Sequence, residues 1–223
     1  MTVLAFDCST QSCSAAVVAG GAVISSRFAR MARGQSEALM PMIVETMAEA
    51  GVAWDDLSLI GVTVGPGTFT GIRIGLAAAR GMALAGPIAL AGVGTLEAIA
   101  FGVPAASRRG RTVLAAVDSK REDLFFQAFD ESLTPLSEPF SASPSAIPGR
   151  FAGPLLVAGD AAPLVLPSLS DAVAAAEPCF PDARVVAELA LLRHQQGRAL
   201  AAVPLYLRAP DVTLPCRPEG GAR

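Results

Sequence analysis

The sequence predicts an α/β protein made of two similar halves. Three observations point there. The chain opens with three short apolar segments, at 3–8, 14–19 and 22–28, spaced closely enough for an antiparallel meander, with Gly20 and Gly21 as the tight turn between the last two. An apolar, partly β-branched run at 59–64 feeds through a glycine-rich loop into a long apolar helix, the alternation expected of a partly parallel sheet. After a charged, glycine-containing linker at 104–111, a second series of strands opens at 112.

Between 35 and 50 the period becomes helical. Leu39, Met40, Ile43 and Met47 mark one face, and Glu37, Glu45 and Glu49 occupy the remaining surface. Pro41 conflicts with this helix because it lacks a backbone donor, and Gly51 is its stop signal. The segment Gly65-Pro-Gly-Thr-Phe-Thr-Gly71 starts the next helix, with Thr68 or Thr70 as its cap, running to about residue 84. That helix is apolar or small nearly all round, Arg73 and Arg80 being its only charges, so it must be covered on more than one face. A strand at 88–93 and a short helix at 95–101 complete the first half. The second half reads as strands at 112–117, 124–129, 133–140 and 155–158, irregular chain at 144–154, and an amphipathic helix at 185–197. The expected division is 1–103, 104–209 with helix 185–197 packing back on the first half, and an extended tail at 210–223.

Composition narrows the function. The chain has 223 residues, 52% hydrophobic and 17% charged, enough for one large domain or two small ones sharing a junction. With a net charge of −3 it lacks the basic excess of a protein that grips RNA by itself. Its densest basic cluster, Arg108, Arg109 and Arg111 followed by Lys120 and Arg121, reads as a solvated loop. Cys8, Cys13, Cys179 and Cys216 form no C-x-x-C pair, and none sits near the single histidine, His194, which argues against a metal site. The N-terminus has no basic leader before Asp7. The Ala/Gly-rich stretch at 74–100 is broken by Arg80 and Pro87, against a membrane span. A reduced, cytoplasmic, soluble protein is the expectation.

The glycine loop at 65–71 is not a Walker A loop, since no lysine follows it, and not G-x-G-x-x-G, since position 70 is Thr. It ends at a helix N-terminus, where free N–H groups attract anions; a tight strand-to-helix connection is the plainer reading. No G-x-S-x-G elbow occurs, and no constellation reads as catalytic.

The order β-β-β-α-β-α-β-α, taken twice, resembles the actin/Hsp70/sugar-kinase (ASKHA) superfamily. In that superfamily the turn after the first strand holds nucleotide phosphates, which here points to Asp7, Ser9 and Thr10, with Asp118 as the counterpart in the second half. A glycine-rich loop of the second half is missing, the candidate at 158–162 having one glycine. A stand-alone small-molecule kinase using Asp7, Thr10 and Asp118 is one reading. The run Val62-Thr-Val-Gly-Pro-Gly-Thr-Phe-Thr-Gly-Ile-Arg-Ile-Gly75, continued to Leu84, is similar to the signature of the TsaB (YeaZ-like) family. Leu4-Ala-Phe-Asp-Cys-Ser-Thr10, Gly94-Thr-Leu96, Ala116-Val-Asp118 and Pro204-Leu-Tyr-Leu-Arg208 extend the resemblance over nearly the whole chain.

The resemblance implies an actin-like fold and a non-catalytic subunit needed for threonylcarbamoyladenosine formation in tRNA. It would scaffold a TsaD-type catalytic partner, with a TsaE-type ATPase joining the pair and tRNA held only through the complex. It also implies a partner contact through the first two helices, placing Ser36, Leu39, Met40, Ile43, Met47, Phe69, Ile72, Arg73, Leu76 and Arg80 there. Homodimerisation is expected when the chain is alone. No cofactor or metal of its own is implied, with room for ATP or ADP at the subunit interface. Many relatives have His where this chain has Gln35, which further weakens a metal role. An older label of this branch, metallo-glycoprotease, has only His194 to rest on.

Overall fold

The computed structural model describes residues 1–208; the tail expected at 210–223, with Cys216, lies outside the described residues. The first half consists of β1 (Thr2–Asp7), β2 (Ser12–Ala19), β3 (Ala22–Arg30), α1 (Gln35–Ala50), β4 (Leu59–Gly65), α2 (Phe69–Ala85), β5 (Ala89–Gly94) and α3 (Thr95–Gly102). The second consists of α4 (Ala105–Arg108), β6 (Thr112–Val117), β7 (Leu124–Phe129), β8 (Phe140–Ala142), β9 (Leu155–Ala158), α5 (Ala162–Val165), β10 (Ala172–Ala174) and α6 (Ala183–Gln195).

The two sheets share one strand order. The first runs β3-β2-β1-β4-β5 and the second, in the same sense, β8-β7-β6-β9-β10. In each the three opening strands pair antiparallel and the later two join parallel. The repeat makes the actin-like α/β fold visible as a duplication, although the sequences of the halves show no such repeat. β1 and β4 are central and buried on both faces, which is why their sequences are continuous apolar runs rather than alternating ones.

Three layers of helix surround these sheets. On one face of the first sheet, Leu39, Ile43 and Met47 of α1 and Ile72, Leu76 and Ala79 of α2 pack against Leu4, Phe6, Val17, Ile60 and Val62. On the other face lies α6, whose Val186, Ala187, Leu189 and Ala190 cover Val3, Ala5, Leu59, Ala91 and Val93. The crossing is close: a Cβ on Gly61 of β4 would stand 2.8 Å from the Ala190 Cβ. Between the sheets, α3 turns Leu96, Ile99 and Ala100 towards Val113, Ala115, Phe125 and Phe129 of the second. Glu97 of α3 and Arg193 of α6 form a largely buried ion pair that ties these helices together.

Several elements differ from expectation. α1 runs unbroken through Pro41 and ends at Gly51 with φ 64°, the left-handed stop that glycine takes without strain. The third strand of the second half is not at 133–140. Asp130 accepts from the N–H groups of Ser132 and Thr134, which folds the chain into a turn with Leu133 at φ 66°, and the strand forms later, at Phe140–Ala142. The linker holds a short helix, α4. The helix expected at 185–197 begins two residues earlier because Asp182 caps it, accepting from the Arg184 N–H. β10 and α5, three and four residues long, had no sequence signal of their own.

Candidate partner-docking site

Two features of the first half carry the residues singled out in the sequence, the outer face of α1 and α2 and the hairpin after β1. α1 buries the row Leu39, Ile43 and Met47 against its own sheet. A second row, one residue on and so about 100° round the helix, is Met40, Val44 and Ala48. Met40 is 42% exposed and Val44 52%. On α2, Ile72 and Leu76 are buried, while Phe69, Arg73, Ala77, Arg80 and Leu84 face outward, Leu84 at 88% exposure. The two helices are neighbours on one side of the sheet, and a notch of about 210 Å³ opens between them, lined by Met40, Trp54, Met82, Ala85 and Ile88.

This corrects the expected interface list. Leu39, Ile43, Met47, Ile72 and Leu76 are in the chain's own core, because a stripe that completes the sheet's cover has no area left for a partner. Ser36, Met40, Phe69, Arg73 and Arg80 stay on the outside. Sequence reasoning did not mark Val44, Trp54 and Leu84, which are exposed apolar residues on the same side. Their signal was an apolar residue four positions from Met40, a lone tryptophan after the helix, and a leucine at the open end of α2. The face is also divided by charge: α1 carries only acidic charges, Glu37, Glu45 and Glu49, and α2 only Arg73 and Arg80. Arg27 of β3 pairs with Glu45 and Glu49 across the edge of α1.

The hairpin brings Asp7, Ser9 and Thr10 together, as expected from its place after β1. All three are buried. The Asp7 carboxylate accepts from the Ser9 Oγ at 2.6 Å, the Ser9 N–H at 3.0 Å and the Thr63 Oγ1 at 2.6 Å. Burial pushes its pKa above the usual carboxylate range, opposed by the hydroxyls of Ser9 and Thr63. Ser9 also accepts from Thr95 at 3.1 Å. The glycine loop closes over this turn. The Thr68 N–H donates to the Ser9 carbonyl at 2.7 Å. A Cβ on Gly67 would meet that carbonyl oxygen at 2.2 Å, and one on Gly71 would meet the Cys8 carbonyl oxygen at 2.0 Å. The glycines of 65–71 are therefore required by backbone packed on backbone. Thr68 caps α2, accepting from the Gly71 N–H at 3.2 Å. Gln35 ties the start of α1 to the same turn, its Nε2 donating to the carbonyls of Thr10 and Met31.

Asp118 does not join this constellation. Its carboxylate takes Lys120 Nζ and the Lys120 N–H, both at 2.7 Å, and its own N–H donates to Asp160 at 3.0 Å. Burial pushes the Asp160 carboxyl up to about 6, against the Asp118 N–H and the Lys120 ammonium that favour its anion. Burial also holds the Cys13 thiol up at about 12 and the Cys8 thiol higher, so neither is a thiolate at neutral pH. Among the described residues no group of three or more His, Cys, Asp or Glu could hold a metal ion. No described helix is long and apolar enough to cross a membrane.

The family model for tRNA N6-adenosine threonylcarbamoyltransferase (TsaD) matches residues 23–138, which include α1 and α2. The chain is 33% identical over 130 residues to the tRNA threonylcarbamoyladenosine biosynthesis protein TsaB of Escherichia coli, covering 58% of this chain and 55% of that protein, so the match spans about half of the relative's length. An uncharacterized protein of Mycobacterium tuberculosis is 31% identical over 218 residues, 94% of this chain and 93% of its own. Among solved structures, YeaZ from Pseudomonas aeruginosa superposes with a TM-score of 0.81 at 25% identity, over 92% of this chain and 99% of that one. A duplicated actin-like fold matched over nearly its full length by YeaZ, with a TsaB relative and a threonylcarbamoyltransferase model meeting on its first half, places this chain in the TsaB (YeaZ-like) family.

Proposed function

We propose that this chain is the non-catalytic subunit of a complex that forms threonylcarbamoyladenosine in tRNA, and that it holds a TsaD-type catalytic chain on the outer face of α1 and α2. One observation carries the reading: the hairpin that would take nucleotide phosphates is sealed by the chain's own loop. Asp7 is 0% exposed, Ser9 and Thr63 both donate to its Oδ1 while Ser12 stands 3.5 Å from Oδ2, and the loop at Gly67 and Gly71 is packed directly on the backbone carbonyls of Ser9 and Cys8. A kinase using Asp7, Thr10 and Asp118 would need that turn open and Asp118 facing it, whereas Asp118 bonds to Lys120 and Asp160 of the second half.

The docking face supplies what the hairpin lacks. Met40, Val44, Phe69 and Leu84 leave apolar area outward on two adjacent helices, a feature that calls for a covering partner. A specific complex of ordinary size buries about 800 Å² on each side. The names of the relatives support the process, tRNA threonylcarbamoyladenosine biosynthesis, and the family model, matching this chain's own residues 23–138, fits pairing with a homologous TsaD-type chain. A TsaE-type ATPase and tRNA join through the complex, the subunit junction is the place for ATP or ADP, and a second copy covers the face when the partner is absent.

A drop-out reconstitution tests this. The TsaD-type protein, the ATPase, threonylcarbamoyl-adenylate synthase, tRNA, threonine, bicarbonate and ATP are combined with and without this chain, and modified nucleoside is read by mass spectrometry. Modification is expected to require the chain, and the chain alone to turn over no ATP. Equal modification without it sinks the proposal, and ATP turnover by the chain alone that Asp7→Asn abolishes would establish the kinase.

A further inference from the structure

After α6 the chain returns across the first half as a strap over residues 198–208. The Gly92 N–H donates to the Leu200 carbonyl and the Leu205 N–H to the Val64 carbonyl, each at 2.8 Å. Arg80 of α2 grips the Ala202 carbonyl through Nε at 3.1 Å and Nη2 at 2.6 Å. Further on, Arg73 Nε donates to the Tyr206 hydroxyl at 2.9 Å. The Tyr206 ring stacks on Phe69 with centroids 5.6 Å apart, and the Arg73 guanidinium lies 3.5 Å over the Phe69 ring centre. Arg208 then reaches Asp123 of the second half at 3.1 Å. The strap thus joins α2 to both sheets and adds its own side chains to the outer face of that helix.

We propose that the strap is a working part of the docking face, with Phe69, Arg73 and Tyr206 as an anchor that receives a carboxylate side chain and an adjoining apolar side chain from the TsaD-type partner. This rests on the docking reading above. Phe69 and Tyr206 are half exposed, so both rings present apolar edges outward. Arg73 is already ordered between them, so docking orders little that was mobile. Among the described residues its two Nη atoms have no hydrogen-bond partner, which leaves a fork for an acceptor. Tyrosine and arginine are the side chains that most often dominate interface energetics. The choice of occupant follows from charge and from the family match. On this chain Glu45 and Glu49 of α1 are already paired with Arg27, whereas Arg73 of α2 keeps its fork open on the outer face, and the TsaD model covers both helices. A partner of the same family brings a corresponding pair of helices to this face, and a carboxylate on them would complement the open guanidinium of Arg73.

The test measures the affinity of the full chain for the TsaD-type protein of the same organism by titration calorimetry, with Tyr206→Ala, Arg73→Gln and Met40→Glu variants. Amide exchange over 200–208 is followed with and without that protein. Arg73→Gln removes no ring and is the safer variant; thermal unfolding establishes that each folds. The expected result is a loss of about fivefold or more for Tyr206→Ala and Arg73→Gln, the scale of an energetically significant interface residue, with slowed exchange in the strap. Should both bind within fivefold of the parent while Met40→Glu does not bind, the strap is outside the interface and the docking reading survives. Parent-like binding by Met40→Glu as well removes the docking face, and the anchor with it. If Tyr206→Ala unfolds, Arg73→Gln and the exchange data decide.

Discussion

Asp160 is held half-buried at the end of β9 with a pKa near 6, and this has a measurable consequence. A carboxyl whose pKa is raised from 3.8 to about 6 in the fold binds more protons folded than unfolded between those values. Stability therefore falls as pH rises from about 4 to 6, and the loss persists above 6. Two units correspond to at most about 3 kcal/mol. Asp160→Asn keeps an acceptor for the Asp118 N–H and removes the charge. The variant is expected to gain about 1–3 kcal/mol at pH 8 and to match the parent near pH 3.5, by urea denaturation at both pH values. Asp7, raised in the same direction but hydrogen-bonded on both oxygens, is part of the packing of its turn. The residue types in that turn were legible in Asp7-Cys-Ser-Thr10. Their enclosure was not, because it depends on a loop some sixty residues away whose glycines read equally well as a phosphate cradle and as close packing.

The helices show where one-dimensional pattern stops. The period of α1 and the Gly51 stop placed it to the residue, but a row of Leu39, Ile43 and Met47 is the same signal whether it meets its own sheet or another molecule. Burial decides: that row is core, and the row beginning at Met40 is surface. The two rows should respond in opposite ways. Leu39→Glu or Ile43→Glu places an unpaired charge in the core and is expected to cost more than about 4 kcal/mol, leaving little folded protein by circular dichroism. Met40→Glu or Val44→Glu is expected to change stability by less than about 1 kcal/mol while abolishing co-elution with the partner on size exclusion. The strands follow the same lesson. Long central strands announced themselves as apolar runs, whereas β8 was displaced by a turn that Asp130 organises through two backbone bonds, a local competition that hydrophobicity does not register.

At the scale of the molecule, the boundary at the linker is covalent more than mechanical. α6 belongs to the second half in sequence and to the first sheet in space, and the strap repeats that crossing. A fragment of residues 1–103 lacks the helix that covers Val3, Ala5, Leu59, Ala91 and Val93. It is expected to be unfolded or aggregated, by circular dichroism and light scattering, and the intact chain to unfold in a single urea transition. The duplication of strand order was legible as two opening meanders. The return of the last described helix to the first half was also an expectation from the sequence, and the structure adds which strands it covers, β1, β4 and β5.

That return also sets a timetable during synthesis. A nascent chain presents β1, β4 and β5 long before it presents Ala183–Gln195. Until that helix clears the ribosome, one side of the first sheet is bare, and the layer formed by α1 and α2 rests on an unfinished support. Holding factors have a reason to stay on this chain until Ala183–Gln195 has emerged.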